Sequence, residues 1–278
     1  MKQLFGVIGC PISHSMSPDM HNDAFNDKDI DAYYQAFEVQ PENLETAIIG
    51  MKALGIKGFN VTVPHKTEII PLLDRVDPLA AAIGAVNTVK LENHQYVGYN
   101  TDGLGYVKGL LEKLPGGSLE EINILIIGAG GAARAIFYTL LQQGARKVDI
   151  ANRTVKNAQT LIENSPFDSE SDALSLNEAE QKIQSYHLIV NTTSIGMKPK
   201  VDEIPLVLNN IRRDTVVSDI IYNPLETKFL SEAKKFGAIT ENGIPMFIYQ
   251  GALAFQIWTG IEPDIERMKQ VVLKKLGG

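Results

Sequence analysis

A chain of 278 residues with 33 Asp and Glu against 26 Lys and Arg, a net charge of −7 and a pI near 5.3, has room for about two domains. Its charge has the wrong sign for a nucleic-acid partner, and its basic residues form no run. A single cysteine, Cys10, excludes an intrachain disulfide framework and a cysteine metal cluster, and fits a reducing compartment. No signal-type segment opens the sequence and no stretch is long enough to span a bilayer, so a soluble, cytoplasmic protein acting on a small molecule is expected.

In chain order, residues 4–9 read as a buried strand that breaks at Cys10-Pro11. Met20, Ala24 and Phe25 follow at helical spacing, and Ser17 before Pro18 has the pattern of an N-cap with proline at the first helical position. Ser15 and Ser17 therefore fall at a helix N-terminus, where hydroxyls and free N–H groups suit a carboxylate; taken alone, Ser17 is an ordinary cap. Residues 32–39 form a second strand, and Leu44, Ile48, Met51 and Leu54 mark a helix stopped by Gly55. A third strand, 58–63, runs into Pro64-His65-Lys66, which places Thr62 and Lys66 at a strand's carboxyl end. Strands alternating with helices predict a parallel sheet. A short alanine-rich helix over 79–83 precedes a hairpin of 84–91 and 96–100, and Asp102 stands at the start of the next helix, where its simplest role is a cap.

Pro115-Gly-Gly-Ser118 reads as a join. Residues 122–127 form a short aliphatic strand ending in Gly128-Ala129-Gly130-Gly131-Ala132-Ala133, the G-x-G-x-x-A turn of a dinucleotide site. A helix from Gly131, ended by Gly144, and a second strand over 147–151 complete a βαβ unit. An NAD site usually has Asp or Glu at the end of that second strand. Here Asn152-Arg153-Thr154 stands there with Lys156 just beyond, and a guanidinium pairs with a 2′-phosphate, so the cofactor reads as NADP. Residues 164–175 read as a polar loop. Strands over 188–190 and 216–221 end in Asn191-Thr192-Thr193-Ser194 and Tyr222-Asn-Pro224, both expected to border the cofactor crevice. Asn242-Gly243 precedes a long apolar helix through Trp258.

Pro11-Ile-Ser-His-Ser-Met-Ser-Pro, Asn60-Val-Thr-Val-Pro-His-Lys, Gly84-Ala-Val-Asn-Thr and Gly98-Tyr-Asn-Thr-Asp-Gly, in this order ahead of the glycine turn, resemble the shikimate dehydrogenase family over nearly the whole chain. The resemblance implies reduction of 3-dehydroshikimate to shikimate by NADPH, on the route to chorismate and aromatic amino acids. It assigns the substrate carboxylate to Ser15 and Ser17, ring hydroxyls to Thr62 and Asn87, the acid/base to Lys66 and its partner to Asp102. It also implies Tyr222 and Gln250 at the substrate, Ile220 and Gly243 near the nicotinamide, and Thr192 to Ser194 near the cofactor.

The expected architecture is α/β, an N-terminal substrate domain of 1–103 plus 239–278 and a Rossmann-type, doubly wound nucleotide domain of 104–238, with a cleft between them. The discontinuity comes from the resemblance alone. No metal is required, and a monomer or homodimer is expected. Two rivals stand beside this reading: a quinate-preferring or NAD-using dehydrogenase, and a noncatalytic NADP-binding sensor of the same fold.

Overall fold

The computed structural model describes residues 2–114 and 116–277, and its backbone divides into two compact units, Met1–Thr101 with Ile248–Gly278 and Asp102–Phe247. Pro115, in the expected join, lies outside the described residues.

The first unit contains β1 (Gln3–Gly9), α1 (Ser17–Asp27), β2 (Ala32–Glu38), α2 (Leu44–Ala53), β3 (Gly58–Val61), β4 (Arg75–Val76), α3 (Pro78–Ile83), β5 (Thr88–Glu92) and β6 (Gln95–Tyr99). Its sheet runs β2-β1-β3-β5-β6-β4. The parallel pairing predicted from the alternation of strands and helices holds for β1 with β2 and β3, but the β5–β6 hairpin runs antiparallel and makes the sheet mixed. Asn93 and His94 turn that hairpin with φ of 47° and 65°, the left-handed pair a tight two-residue turn demands. Ile8, Phe59 and Val61 of the sheet pack against Leu44, Ile48 and Met51 of α2. Full burial of each such side chain contributes roughly 1.5–3 kcal/mol, which makes this the structural floor of the unit.

The second unit contains α4 (Asp102–Leu111), β7 (Asn123–Ile127), α5 (Gly131–Gln142), β8 (Lys147–Ala151), α6 (Val155–Glu163), β9 (Ala173–Leu174), α7 (Leu176–Gln181), β10 (Leu188–Asn191), β11 (Val216–Asp219), α8 (Lys228–Lys235) and β12 (Ile239–Glu241). The sheet order is β12-β11-β10-β7-β8-β9, and every pair is parallel. Counted from β7, this is the 3-2-1-4-5-6 order of a Rossmann fold, whose ligand crevice opens where the order reverses, between β7 and β10. The expected loop over 164–175 contains the two-residue edge strand β9, and Ser175 closes it with a capping box onto Glu178. Because β12 pairs with β11, residues 239–247 stay in this unit, and the division falls later than the expected start at 239.

α9 (Ile244–Thr259) begins in the second unit and continues into the first, followed there by α10 (Ile265–Gly277). Trp258 Nε1 donates to Val89 O at 2.9 Å, and Gly58 lacks a side chain where that indole lies: a β-carbon would stand 2.4 Å from Nε1. On α10, Arg267 pairs with Asp23 and Asp27, and Lys275 with Asp19, fastening it to α1. Among the described residues no helix is long and apolar enough to cross a membrane.

Candidate functional site

In the first unit β1 and β3 are parallel with Ile8 level with Val61, so the loops that follow them leave the sheet at the same end. The Thr62 N–H donates to Ile8 O at 3.0 Å, and Thr62 Cγ2 lies 2.5 Å from where a β-carbon on Gly9 would stand. Lys66, half-buried, comes just after, with its carbonyl accepting from the Val86 N–H at 2.8 Å. Since β5 is antiparallel to β3, the residue preceding it returns to this same end, and the Asn87 carbonyl accepts from Val61 N–H at 2.9 Å. Ser15, Ser17, Thr62, Lys66 and Asn87 are therefore set around the carboxyl ends of two parallel strands, where α/β sheets place ligands.

One expectation fails in detail. Ser17 is the first residue of α1, and Met16 occupies the N-cap position without a side-chain cap bond. The Ser15 hydroxyl oxygen accepts from the Ser17 N–H at 3.3 Å, and Ser17 faces the buried Tyr34 phenol, whose pKa burial raises well above the usual tyrosine range. The two serines are thus tied to one another at the start of α1.

Asn87 is buried within a hydrogen-bonded network. Tyr34 donates its O–H to Asn60 Oδ1 at 2.7 Å, and Asn60 Nδ2 donates to Asn87 O and Thr88 Oγ1, each at 3.1 Å. Asn87 Oδ1 accepts from Thr101 N–H at 2.8 Å, and Asn87 Nδ2 donates to Thr101 Oγ1 at 3.0 Å. The residue just ahead of Asp102 is thereby tied to Asn87. Buried amides satisfied on both sides hold one orientation: a flip would set the Asn87 amide against the Thr101 N–H, donor to donor, and Asn60 Oδ1 against the Asn87 carbonyl, acceptor to acceptor. Gln250, on α9, precedes Gly251, where a β-carbon would stand 2.3 Å from Met20 Cε of α1.

In the second unit, Gly128 turns the chain with φ 109° while its N–H donates to Ala151 O at 2.8 Å. Gly130 is the N-cap of α5 and Gly131 its first residue, and a β-carbon on either would meet nothing within 4 Å. Open space thus faces a helix N-terminus whose first N–H groups have no intrahelical partners, flanked by Ala129 and Ala132, while Ala133 is fully buried against the fold. Such a cradle fits a pyrophosphate.

At the end of β8, Asn152 Nδ2 donates to Thr154 O at 2.9 Å, and Thr154 is the N-cap of α6 without a side-chain cap bond. Arg153 is exposed, and among the described residues no carboxylate pairs with it, whereas Lys156 lies 3.9 Å from Glu163. A free guanidinium and no acidic group at this strand end fit a 2′-phosphate. Thr192 Oγ1 donates to Ile127 O at 2.7 Å beside Gly128, Ser194 is exposed, and Ile220 is half-buried. Tyr222 is 37% exposed, with its ring 5.4 Å from that of Phe247, and burial raises its pKa.

Asp102 opens α4. A β-carbon on the next residue, Gly103, would stand 2.1 Å from Thr139 Oγ1 and 2.5 Å from Ala135 O, so the first turn of α4 lies directly on α5. Sequence reasoning gave no individual role to Tyr34, Asn60, Asn191, Asp219 or Glu241. A signal existed for several of them, a polar residue inside or closing an otherwise apolar strand, as in Gly58-Phe-Asn-Val and Val216-Val-Ser-Asp.

Three family models match: the shikimate dehydrogenase substrate binding domain over residues 7–89, shikimate / quinate 5-dehydrogenase over 110–207, and the shikimate 5'-dehydrogenase C-terminal domain over 243–273. A shikimate dehydrogenase (NADP(+)) of Geobacillus sp. (strain WCH70) is 54% identical over 278 residues, all of both chains. A crystal structure of a shikimate dehydrogenase in complex with NADP+ is 47% identical, covers 99% of this chain and 96% of its own, and superposes with a TM-score of 0.90. The Listeria monocytogenes shikimate 5-dehydrogenase, crystallised with shikimate and NAD, is 36% identical, covers 98% and 96% of the two chains and has a TM-score of 0.91. A relative at 54% identity along its full length, with family models matching both ends and the middle, shows that the chain belongs to the shikimate dehydrogenase family.

Proposed function

We propose that the protein catalyses reduction of 3-dehydroshikimate to shikimate with NADPH, a step towards chorismate and the aromatic amino acids. The observation that carries this reading is the placement of Lys66 with Ser15, Ser17, Thr62 and Asn87 at one end of the first sheet, in a chain whose second sheet has a dinucleotide turn. The first unit is the substrate domain and the second the nucleotide domain.

The Ser15 and Ser17 hydroxyls donate to the substrate carboxylate, and Thr62 and Asn87 hold the ring hydroxyls, with Tyr222 and Gln250 as further substrate contacts. Lys66 gives a proton to the carbonyl oxygen as negative charge grows there, and Asp102 orients that ammonium or shares its proton. Gly128, Ala129, Gly130, Gly131 and Ala132 hold the pyrophosphate, and Asn152, Arg153, Thr154 and Lys156 the adenosine 2′-phosphate. Thr192, Ser194, Ile220 and Gly243 line the rest of the nucleotide site. NADPH, when bound, supplies the hydride. The protein works in the cytoplasm on small molecules, not on nucleic acid, as a monomer or homodimer.

The test mixes purified protein with shikimate or quinate and with each oxidised cofactor, and follows reduced nicotinamide. Turnover fastest with shikimate and NADP+ is expected; faster turnover with quinate and NAD+ would replace this reading with the quinate one, and no turnover with nucleotide binding retained would leave a sensor.

A further inference from the structure

We propose that Asp219 is a positioning residue of the nucleotide site, acting through Asn191 to hold the Thr192–Ser194 and Ile220–Tyr222 segments in their binding geometry. This rests on the assignment of those segments to the cofactor.

Asp219 ends β11 and Asn191 ends β10, level with one another in the parallel pair, and both are fully buried. Beyond them the backbone ladder ends with the Thr192 N–H to Ile127 O and Ile220 N–H to Asn191 O bonds, and side chains take over in setting the loops. Asp219 Oδ1 accepts from the Ile221 N–H at 3.0 Å and from Asn191 Nδ2 at 3.1 Å, and Oδ2 accepts from the Thr227 hydroxyl at 2.8 Å. Asn191 Oδ1 in turn accepts from the Thr193 N–H at 3.0 Å and the Thr193 hydroxyl at 2.7 Å, while its Nδ2 also donates to Ile195 O at 3.2 Å. The Ile220 N–H donates to Asn191 O at 3.1 Å.

Two strand ends are thus connected through one carboxylate and one amide into a single unit running from Thr193 to Thr227. A buried carboxylate is a poor way to add stability, since apolar residues would fill the same volume without a desolvation cost. What it supplies is direction: three donors converge on it from three chain segments and set where each turns. The free protein therefore carries the loops already ordered, and less ordering remains to be done on binding.

The test uses full-length protein and Asp219→Ala, Asp219→Asn, Asn191→Ala and the Asn191→Ala/Asp219→Ala double variant. Calorimetry gives Kd for NADP+, and thermal unfolding without ligand reports the fold. Each alanine variant should weaken NADP+ by about tenfold or more, because the ordering of both loops is then left to binding. The double variant should be little worse than either single one, because the residues act as one unit. Asp219→Asn should stay within about threefold of wild type, since its carbonyl still accepts from Ile221 and Asn191 and the Thr227 hydroxyl can accept from the new amide. Folded alanine variants with wild-type Kd, multiplying effects in the double variant, or failure of Asp219→Asn to rescue would each overturn the proposal. If Asp219→Ala does not fold, Asn191→Ala and Asp219→Asn still decide it. Wild-type protein that does not bind NADP+ would sink the cofactor assignment instead.

Discussion

The carbonyl oxygen of Ile220 lies 2.1 Å from the point where a β-carbon on Gly243 would stand, and the Gly243 N–H donates to Ile221 O at 2.9 Å. Glycine is required here by close backbone approach before any ligand is considered. Gly243→Ala must push the end of β11 away from the start of α9, and overpacking of this kind costs about 1–3 kcal/mol. The variant should unfold at lower temperature and bind NADP+ more weakly, because Ile220 moves with the strand end. Thermal unfolding of the ligand-free protein checks the first part, and an unchanged midpoint would show that the backbone gives way without cost.

Arg153 carries the prediction on cofactor choice. It has no carboxylate partner among the described residues, so its guanidinium is available without breaking an ion pair. A charge-assisted pair with a 2′-phosphate is worth roughly 1.5–3 kcal/mol, or about one to two orders of magnitude in affinity. Arg153→Ala should weaken NADPH by that factor and NADH hardly at all. Parallel titrations with the two reduced cofactors measure the ratio; an equal loss for both would return Arg153 to an ordinary exposed arginine.

Much of this geometry was legible in the residues, for identifiable reasons. The β7–α5–β8 unit stands out because an aliphatic run, a glycine turn and a helix follow in fixed order, and local chemistry alone dictates that sequence. The N-terminal motifs pointed to Thr62 and Lys66 at a strand end because a proline follows an apolar run. Ser17 is not the cap because the helix starts one position earlier than its Ser-Pro pattern implies, with Met16 at the N-cap and the Ser15 hydroxyl oxygen accepting from the Ser17 N–H. β4 and β9, two residues each, have no periodicity to detect. The hairpin's antiparallel direction was readable from its turn, whereas its attachment to β3 needed the tertiary fold.

Glu241 predicts a pH dependence of stability. It is 5% exposed on β12, and neither carboxyl oxygen has a hydrogen bond of good geometry, though Ser218 faces it. Burial pushes its pKa up from 4.5 to about 7, the Glu112 charge adding to this and Lys113 opposing it. Below about pH 4.5 the folded and unfolded chains both hold the proton, and its contribution is constant. Between about pH 4.5 and 7 the unfolded chain has released the proton that the folded chain still holds, so the fold loses up to roughly 3 kcal/mol across this range and no more above it. Glu241→Gln removes this titration. Its unfolding midpoint should gain on the wild type as pH rises across that window, and a difference independent of pH would mean that Glu241 is ionised in the fold at little cost.

Lys66 carries the proton-transfer step. Its carbonyl accepts from the Val86 N–H, a backbone tie that Lys66→Ala keeps. A positioned general acid contributes about 10²- to 10⁴-fold, and kcat should fall by that order while substrate affinity changes much less. Asp102→Asn should also slow turnover, by less if it only orients the ammonium. The double variant should be little worse than Lys66→Ala, since two residues serving one proton transfer do not add. Steady-state kinetics of the three variants with shikimate and NADP+ separate the cases. A raised KM with kcat intact in Lys66→Ala would make Lys66 a binding residue, and the proton would then have to come from Asp102 or from water.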